Sequence, residues 1–448
     1  MVITQGDILK KNELIEEVKE KKVRFVEMQF MDLLGGVKSV SIPTSHLERA
    51  IEEGVLFDGS SIMGYATIDE SDLRAYPDLD TFLVFPWIEE KIKTGRLICD
   101  IYTSDGERFE GDPRFILQSQ MAKAEKKGYE FNVGPEYEFF LFKTDENGRP
   151  TVKPDDNGGY FDLMPLDRAD KVRKECNLYF DDMGFEVEAS HHEGAAGQHE
   201  IDLRFDDGLT IADQIMTLKH TIKTVAKLNG LHATFMPKPI ADVNGTGMHI
   251  HQSLLGENKN YFYDEDDPEG LSDLARYYIG GLLKHAREMN AVQNSWVNSY
   301  KRLIPGYEAP VYVSWAYLNR SVLARVPAGR GMGTRVEIRN PDPAGNPYLQ
   351  FALLLRAGLD GIENEIEPGE PVKEDLFSMS KEERKERGIE SLPYNLGHAL
   401  LVMEESDFVK DILGEHTFQH YLHNKKEEWR EYRKQVTRWE IDKYLPHL

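Results

Sequence analysis

The sequence predicts an α+β chain in two units: a small strand-rich unit, then a larger one in which helices alternate with short strands around a curved sheet. Three observations predict it. Four short segments in the larger part alternate ionisable and apolar residues with a period of two. A helix-start signal, Asp112-Pro113, follows the last strand-like run of the first part. The chain has 448 residues, and at roughly 150 residues per domain that length accommodates two or three domains with sizeable cores.

Taken in order, residues 5–22 read as an amphipathic helix with apolar Ile8, Leu9, Ile15 and Val18 among charges. VRFVEMQFMD, a turn at LLGG and VKSVSIP read as a β-hairpin, and DTFLVFPW and RLICDIYT as further strands. The boundary falls between residues 110 and 112, giving units 1–111 and 112–448. Helices are expected over 113–128, 167–183, 210–229, 271–290 and 346–366, the last opening on the cap Asn346-Pro347. The stretch KEDLFSMSKEERKERGIESLP reads as a polar, exposed excursion. A charged helical tail from residue 415 ends in the apolar-flavoured KYLPHL, suited to dock on a neighbouring subunit or on its own core.

Composition narrows the function classes. Hydrophobic residues make up 40% and charged residues 29%, which fits a globular chain. With 54 basic and 78 acidic side chains the net charge is -24, which disfavours nucleic-acid backbones and anionic membrane surfaces. No apolar run approaches the roughly 20 residues needed to span a bilayer, and the first residues lack an apolar signal core. Two cysteines, Cys99 and Cys176, cannot build a disulfide framework. The expected location is the cytoplasm, where the sequons at Asn244 and Asn319 are chance occurrences.

The four alternating strands carry the chemistry. In GPEYEFFLF, Glu136 and Glu138 share a face opposite Tyr137, Phe139 and Leu141. In HEIDLRF, Glu200, Asp202 and Arg204 oppose Ile201, Leu203 and Phe205. In GMHIHQS, His249, His251 and Ser253 oppose Met248 and Ile250. In RVEIRNPD, Arg335, Glu337 and Arg339 oppose Val336 and Ile338. One such strand is better explained by a solvated outer face. Four of them carry complementary acids, imidazoles and guanidiniums, and burying these requires pairing or metal. A curved sheet enclosing a polar funnel is the economical arrangement. Glu193, in SHHEGAAGQHE, joins the set ahead of a small-residue loop. The candidate ligands are Glu136, Glu138, Glu193, Glu200, His249 and Glu337, an oxygen-rich set suited to two or three Mg²⁺ or Mn²⁺ ions. Arg302, Arg320, Arg325, Arg335 and Arg339 supply forks for phosphate or carboxylate. Metals and arginines together point to phosphoryl transfer, and the absence of GxxxxGK[ST] argues against a P-loop enzyme.

The motifs FDGSSIMGY, GPEYEFF, HHEGAAGQHEID, NGTGMHIHQS, NSYKRLIPGYEAP, NRSVLARVP and RVEIRNPDPAGNPYL resemble, in order and over nearly the whole chain, the type I glutamine synthetases. The short form, without a catalytic-domain insertion, resembles the archaeal and Gram-positive-like subgroup. The resemblance implies a β-grasp domain before a catalytic domain with a curved antiparallel sheet, and a dodecamer of two hexameric rings with sites between subunits. It implies ATP-dependent ligation of ammonia to L-glutamate through γ-glutamyl phosphate. Carried over by motif, Glu138, Glu193 and Glu200 hold the metal near glutamate, and Glu136, His249 and Glu337 the metal among the ATP phosphates. Glu188, His251, Ser253, Arg325 and Arg335 contact the nucleotide. Asn244, Gly245, Arg302 and Arg339 bind glutamate, and Arg320 meets the transferred phosphoryl group. By the same resemblance, Glu308 would be the flap carboxylate that helps deprotonate ammonium, and Asp58 would bind ammonium from the neighbouring subunit.

Two departures concern regulation. Where the adenylylated subgroup has an acceptor tyrosine, this chain has Phe377; where the glutamine-inhibited subgroup has an arginine after FDGSS, it has Thr67. Control by small molecules, or by a PII-like nitrogen sensor, is the remaining expectation. The competing readings are a γ-glutamyl-amine ligase of the same fold, a non-catalytic assembly protein on that fold, and a metal-dependent phosphohydrolase. The last leaves the arginines and the flap unexplained.

Overall fold

The computed structural model describes residues 5–62, 64 and 71–448; Thr67 lies outside them. The first part holds helix α1 (Gln5–Glu20), hairpin strands β1 (Phe25–Met31) and β2 (Val37–Pro43), α2 (Leu47–Glu53), β3 (Val55–Asp58), β4 (Asp72–Val84) and β5 (Thr94–Thr103). They form a five-stranded sheet in the order β2-β1-β5-β4-β3, in which β1 and β5 run parallel. The hairpin forms where LLGG predicts it, with Gly35 at φ +85 supplying the turn. Helix α1 buries Leu14 and Val18 against this sheet, while Ile8 and Leu9 are exposed. The buried stripe is therefore offset from the one the composition of the helix suggests.

Helix α3 (Pro113–Glu125) starts as its sequence dictates: the Asp112 carboxylate accepts the Arg114 N–H and Pro113 takes the first turn. Then come β6 (Glu130–Thr144), β7 (Pro150–Pro154), α4 (Asp170–Asp182), β8 (Val187–His192), β9 (Gln198–Leu203), β10 (Asp206–Asp207), α5 (Gly208–Leu228), β11 (Leu231–Thr234), β12 (Met248–Gly256) and β13 (Lys259–Asn260). After α6 (Asp273–Gln293) and α7 (Ser299–Arg302) follow β14 (Trp315–Tyr317), β15 (Ala324–Val326), β16 (Val336–Ile338), α8 (Pro347–Glu363), α9 (Lys381–Glu386), α10 (Leu396–Glu404), α11 (Asp407–Tyr432) and α12 (Arg438–Tyr444). The second sheet runs β14-β15-β16-β12-β6-β9-β8, antiparallel except for β14 with β15, and β7, β10, β11 and β13 pair at its margins.

The apolar strand faces meet α3, α5, α6 and α8 in one core, where Tyr137, Phe139, Leu141, Ile201, Met248, Ile250, Val336 and Ile338 are buried. The opposite faces are left to line the site. Buried polar contacts tie the two sheets together. Arg114 on α3 reaches Asp78 at 2.8 Å and Asp100 at 2.6 Å on the small sheet and Asp213 at 2.9 Å on α5. The Asn346 side chain, besides capping α8, donates to the Asp32 carbonyl at 2.9 Å.

One reading needs correction and two are refined. Strand β9 ends at Leu203, so its alternation stops there: Arg204 pairs with Glu186 at 2.6 Å and Phe205 is exposed rather than in the core. The excursion 373–393 is polar but anchored, with Leu376 and Met379 buried and Phe377 packed against the core. Two of its hydroxyls are engaged: Ser378 donates to the Asp375 carbonyl and Ser380 caps α9. The tail buries Phe418, Tyr421 and Leu422 in the chain's own core, yet leaves Trp439, Leu445 and Leu448 exposed. No helix among the described residues is long and apolar enough to cross a membrane.

Candidate active site

Strand register assembles the site. The four charged strands are adjacent, in the order β16-β12-β6-β9. Directly opposed residues on neighbouring strands have side chains within contact range. Glu337 stands opposite His251, His249 opposite Glu136, Glu136 opposite Asp202 and Glu138 opposite Glu200. On the outer strand β8, His191 stands opposite Glu200.

These faces open on a cavity of about 530 Å³ lined by Glu136, Glu138, Glu193, Glu200, Asp202, His249, Asn244, Gly245, Arg302, Glu308, Arg320, Arg325 and Arg339. A second cavity of about 410 Å³, sharing Glu136 and Asp202 as its border, is lined by Glu188, His251, Ser253 and Arg335. Two predicted residues line neither. Glu337 is fully buried, held by Arg325 and by Arg339 at 2.5 Å. Asp58 lies on the small sheet, where its carboxylate accepts from the Ser60 hydroxyl at 2.6 Å and the Ser61 hydroxyl at 2.7 Å.

The electrostatics divide the acids into two groups. Burial, reinforced by Glu193, pushes Glu138 up to about 8. Burial and the charges of Glu138 and Glu136 raise Glu200 to about 10, and burial with Glu200 and Glu136 raises Asp202 to about 9. Glu193 is raised for the same reason, burial. Glu136 and Glu337 go the other way. Burial opposes their ionisation, but hydrogen bonds from His249 and His251 hold Glu136 well below the usual carboxylate range. Arg339, then the two histidines, hold Glu337 at about 2. A buried cluster of so many carboxyls favours protonation of several of them until a cation arrives.

Two imidazoles face Glu136, and their surroundings distinguish them. Arg335 Nε donates to His251 Nδ1 at 3.1 Å, so the ring proton of His251 sits on Nε2 and is donated to Glu136 Oε1 at 2.8 Å. That leaves His251 without a free lone pair. His249 Nδ1 lies 2.7 Å from Glu136 Oε2, and burial and Arg339 lower its pKa to about 4. The ring is neutral, and its Nε2 faces Gly247. A Cβ built on Gly247 would come within 3.2 Å of that nitrogen, 3.1 Å of Glu138 Oε1 and 2.6 Å of Arg302 Nη2. The missing side chain thus leaves a cradle between an imidazole lone pair and a carboxylate. On this side Glu136, His251 and Glu337 bring ligand atoms within 4.8 Å of one another; on the other His191, Glu200 and Asp202 do. Both groupings include residues beyond the predicted ligands.

The remaining parts are fixed from outside the sheet. Arg302 is buried, its guanidinium anchored on the carbonyls of Asn340 at 2.7 Å, Pro341 at 3.2 Å and Arg339 at 3.1 Å. Gly245 has no room for a side chain, since a Cβ would meet the Pro237 carbonyl at 2.4 Å. Asn244 donates to Glu308 Oε2 at 3.0 Å, and Glu308 has the left-handed φ of +57. Arg320 lies near Tyr160, where its charge opposes the rise that burial gives the phenol.

Sequence reasoning missed Gln198, His191, Tyr160 and Phe161, and left Asp202 out of the ligand set. Gln198 Nε2 donates to Glu138 Oε2 at 2.8 Å and to the Gly245 carbonyl at 3.0 Å, while its Oε1 accepts from Ala195 at 3.1 Å. The period-two rule held the signal: Gln198 is two residues before Glu200 on the same face. Beneath this loop, His192 Nε2 lies 3.0 Å from Asp156 Oδ1, which also accepts from Gly197 at 2.8 Å. That buried pair supports the turn between Glu193 and Gln198.

Residues 22–104 match the family profile described as glutamine synthetase, beta-Grasp domain, and residues 110–444 the one described as glutamine synthetase, catalytic domain. The chain is 55% identical over 438 residues to a protein named glutamine synthetase from Methanosarcina mazei, covering 98% of each. It is 52% identical over 435 residues to one so named from Clostridium saccharobutylicum, covering 97% of this chain and 98% of that one. For one from Staphylococcus aureus the identity is 48% over 436 residues, with the same coverages. A solved structure described as a GmaS/ADP complex superposes with a TM-score of 0.88 at 33% identity, covering 97% of this chain and 99% of the other.

Proposed function

The chain belongs to the glutamine synthetase family, and from that premise we propose that it ligates ammonia to L-glutamate with ATP, through γ-glutamyl phosphate, giving glutamine, ADP and phosphate. The observation that carries this reading is the register that sets carboxylates and imidazoles of β12, β6 and β9 around two adjoining cavities, with Glu337 of β16 buried behind them and a set of arginines on the wall.

The residues present fit divalent cations. The Gly247 cradle leaves space beside His249 and Glu138, and the raised carboxyls lack the positive charge that would ionise them together. Glu138, Glu193 and Glu200 would hold one Mg²⁺ or Mn²⁺, and Glu136, His249 and Glu337 another. When bound, the ions neutralise charge developing on the transferred phosphoryl group. The chain's own groups do the rest. Glu188, His251, Ser253 and Arg335 hold the nucleotide around the second cavity, and Arg325 reaches it from the wall of the first. Arg302, Arg339, Asn244 and Gly245 orient glutamate with its side-chain carboxylate toward Arg320, which steadies the phosphoryl group. Ammonia is mostly ammonium near neutral pH, so an acid that attracts the cation and takes a proton serves both steps. Glu308 is that acid on the flap. Asp58, remote from the cavity of its own chain, belongs to the site of a neighbouring subunit in a ring assembly of two hexamers. The proposed setting is the cytoplasm, with domains 1–111 and 112–448. Phe377 offers no hydroxyl to adenylylation, so control by bound small molecules or a PII-like protein is the regulatory reading.

The test supplies ¹⁵N-ammonium, glutamate, ATP and Mg²⁺ or Mn²⁺ and follows the label. The reading expects ¹⁵N in the side-chain amide of glutamine, dependent on all four additions. ATP turnover without labelled glutamine would overturn it.

A further inference from the structure

We propose that Lys238 and Tyr307 form a latch that holds the Glu308 flap closed, making both positioning residues for the ligation. The proposal rests on the reading of Glu308 given above and goes beyond it.

The flap segment is held in a backbone shape it would not keep alone. Gly306 has φ +95 and Glu308 φ +57, so the residues on both sides of Tyr307 are left-handed. Glycine adopts that region freely, but at Glu308 it is strained and persists only where surroundings enforce it. Three contacts do so. Asn244 holds the Glu308 carboxylate at 3.0 Å, the Lys238 ammonium lies 3.9 Å from the centroid of the Tyr307 ring, and the Tyr307 hydroxyl donates a long bond to Asp242 Oδ1 at 3.4 Å, which Tyr307→Phe removes while keeping the ring.

Lys238 is built to serve this contact. It is 9% exposed, and in a chain with 78 acidic residues its ammonium has no carboxylate within ion-pair distance among the described residues. It donates instead to the Val243 carbonyl, one residue before Asn244, and presents its remaining charge to the aromatic face. Its backbone is clasped twice by Asn298, whose Oδ1 accepts the Lys238 N–H at 2.7 Å and whose Nδ2 donates to its carbonyl at 3.1 Å. One fixed cation therefore organises both sides of the flap: the 243–244 turn through the carbonyl, and residues 306–308 through the ring. A largely desolvated cation–π contact shifts an open–closed equilibrium by on the order of tenfold or more.

The chemistry at stake is partition of the acyl phosphate. With the flap closed, ammonia's nitrogen attacks the γ-carbonyl carbon, the C–O bond to phosphate breaks, phosphate leaves with the electron pair, and Glu308 takes the surplus proton. With it open, water oxygen attacks the same carbon, the same bond breaks, one water proton goes to the departing phosphate and the other is released to solvent. Glutamate is then regenerated, and ADP forms without glutamine.

The experiment measures ADP and glutamine released by the full-length protein with ammonium, for the wild type, Lys238→Met, Tyr307→Leu, Tyr307→Phe and Glu308→Ala. A latch predicts that Lys238→Met and Tyr307→Leu raise the ADP-to-glutamine ratio about twofold or more, while Tyr307→Phe, which keeps the ring, holds it at one. A merely structural role lowers both products together and leaves the ratio at one. Tyr307 is only half-buried, so its variants remain informative if Lys238→Met does not fold. A ratio of one in Tyr307→Leu, with Glu308→Ala impaired in glutamine formation, overturns the latch and spares the reading of Glu308. Unimpaired glutamine formation by Glu308→Ala overturns that reading and the latch with it.

Discussion

His249 Nδ1 lies 2.7 Å from Glu136 Oε2, the residue directly across from it on the neighbouring strand. The other imidazole on that carboxylate, His251, has its second nitrogen occupied by Arg335. The two histidines therefore have different work despite their similar positions: His249 is free to ligate a cation, and His251 is a relay from Arg335 to Glu136. His249→Ala should weaken Mn²⁺ binding, followed by electron paramagnetic resonance, by well over the roughly 10–100-fold typical of an outer-shell change. His251→Ala should fall within that range. The reverse order would show the assignment to be wrong.

The raised carboxyls predict a pH signature. In the metal-free protein Glu138, Asp202 and Glu200 titrate at about 8, 9 and 10, above their ordinary values. Between the unfolded carboxyl range and those values the folded state binds more protons than the unfolded chain, so stability falls as pH rises. The melting temperature of metal-free protein should drop from about pH 5 toward pH 9, and Mn²⁺ should reduce the drop by replacing protons. Binding Mn²⁺ near neutral pH should release protons into a weakly buffered solution. A flat melting profile with no proton release would contradict the electrostatic account.

Glu337 is the anion between two arginines, fully buried and held at about 2. Removing one partner of a buried ion pair leaves charge uncompensated, which costs about 3–5 kcal/mol. Glu337→Ala should lose about that much in urea denaturation, whereas Glu337→Gln, which keeps hydrogen-bond acceptor capacity, should lose less. Equal and small losses would mean that the arginines find other partners.

Much of this site was legible in the sequence because sheet faces obey a period of two. The pairs Glu136 with Glu138 and His249 with His251 declare a shared face whatever the strand's neighbours. Asp112-Pro113 and Asn346-Pro347 declare helix starts for equally local reasons. What periodicity does not encode is which strand lies beside which: the pairing of Glu136 with Asp202 is set by packing over long sequence separations. Nor does it encode where a strand stops, which is why Phe205 was misplaced. Gln198 escaped because a carboxamide carries no charge to flag it, although its three hydrogen bonds join Glu138, Gly245 and Ala195. In α1 the buried stripe follows Leu14 and Val18, chosen by the sheet beneath it rather than by the helix's own composition.

Asp58 predicts assembly. It is exposed on the small sheet and lines neither cavity of its own chain. If a neighbouring subunit completes each site, mixed oligomers of Asp58→Ala and Glu337→Gln chains should recover activity, because some interfaces pair an intact small domain with an intact funnel. Native mass spectrometry would establish that mixing occurred. Mixed oligomers no more active than either parent would contradict a site completed by the neighbouring subunit's Asp58.

The most direct measurement of the central claim is a competition between amines. ADP and the amide product are quantified together with glutamate, ATP, Mg²⁺ or Mn²⁺, and either ammonium or a panel of bulkier amines including ethanolamine and a polyamine. The account predicts that ammonium is the fastest acceptor and that ADP and glutamine form in equal amounts. Faster turnover with a bulkier amine, yielding a γ-glutamyl amide in place of glutamine, would contradict it.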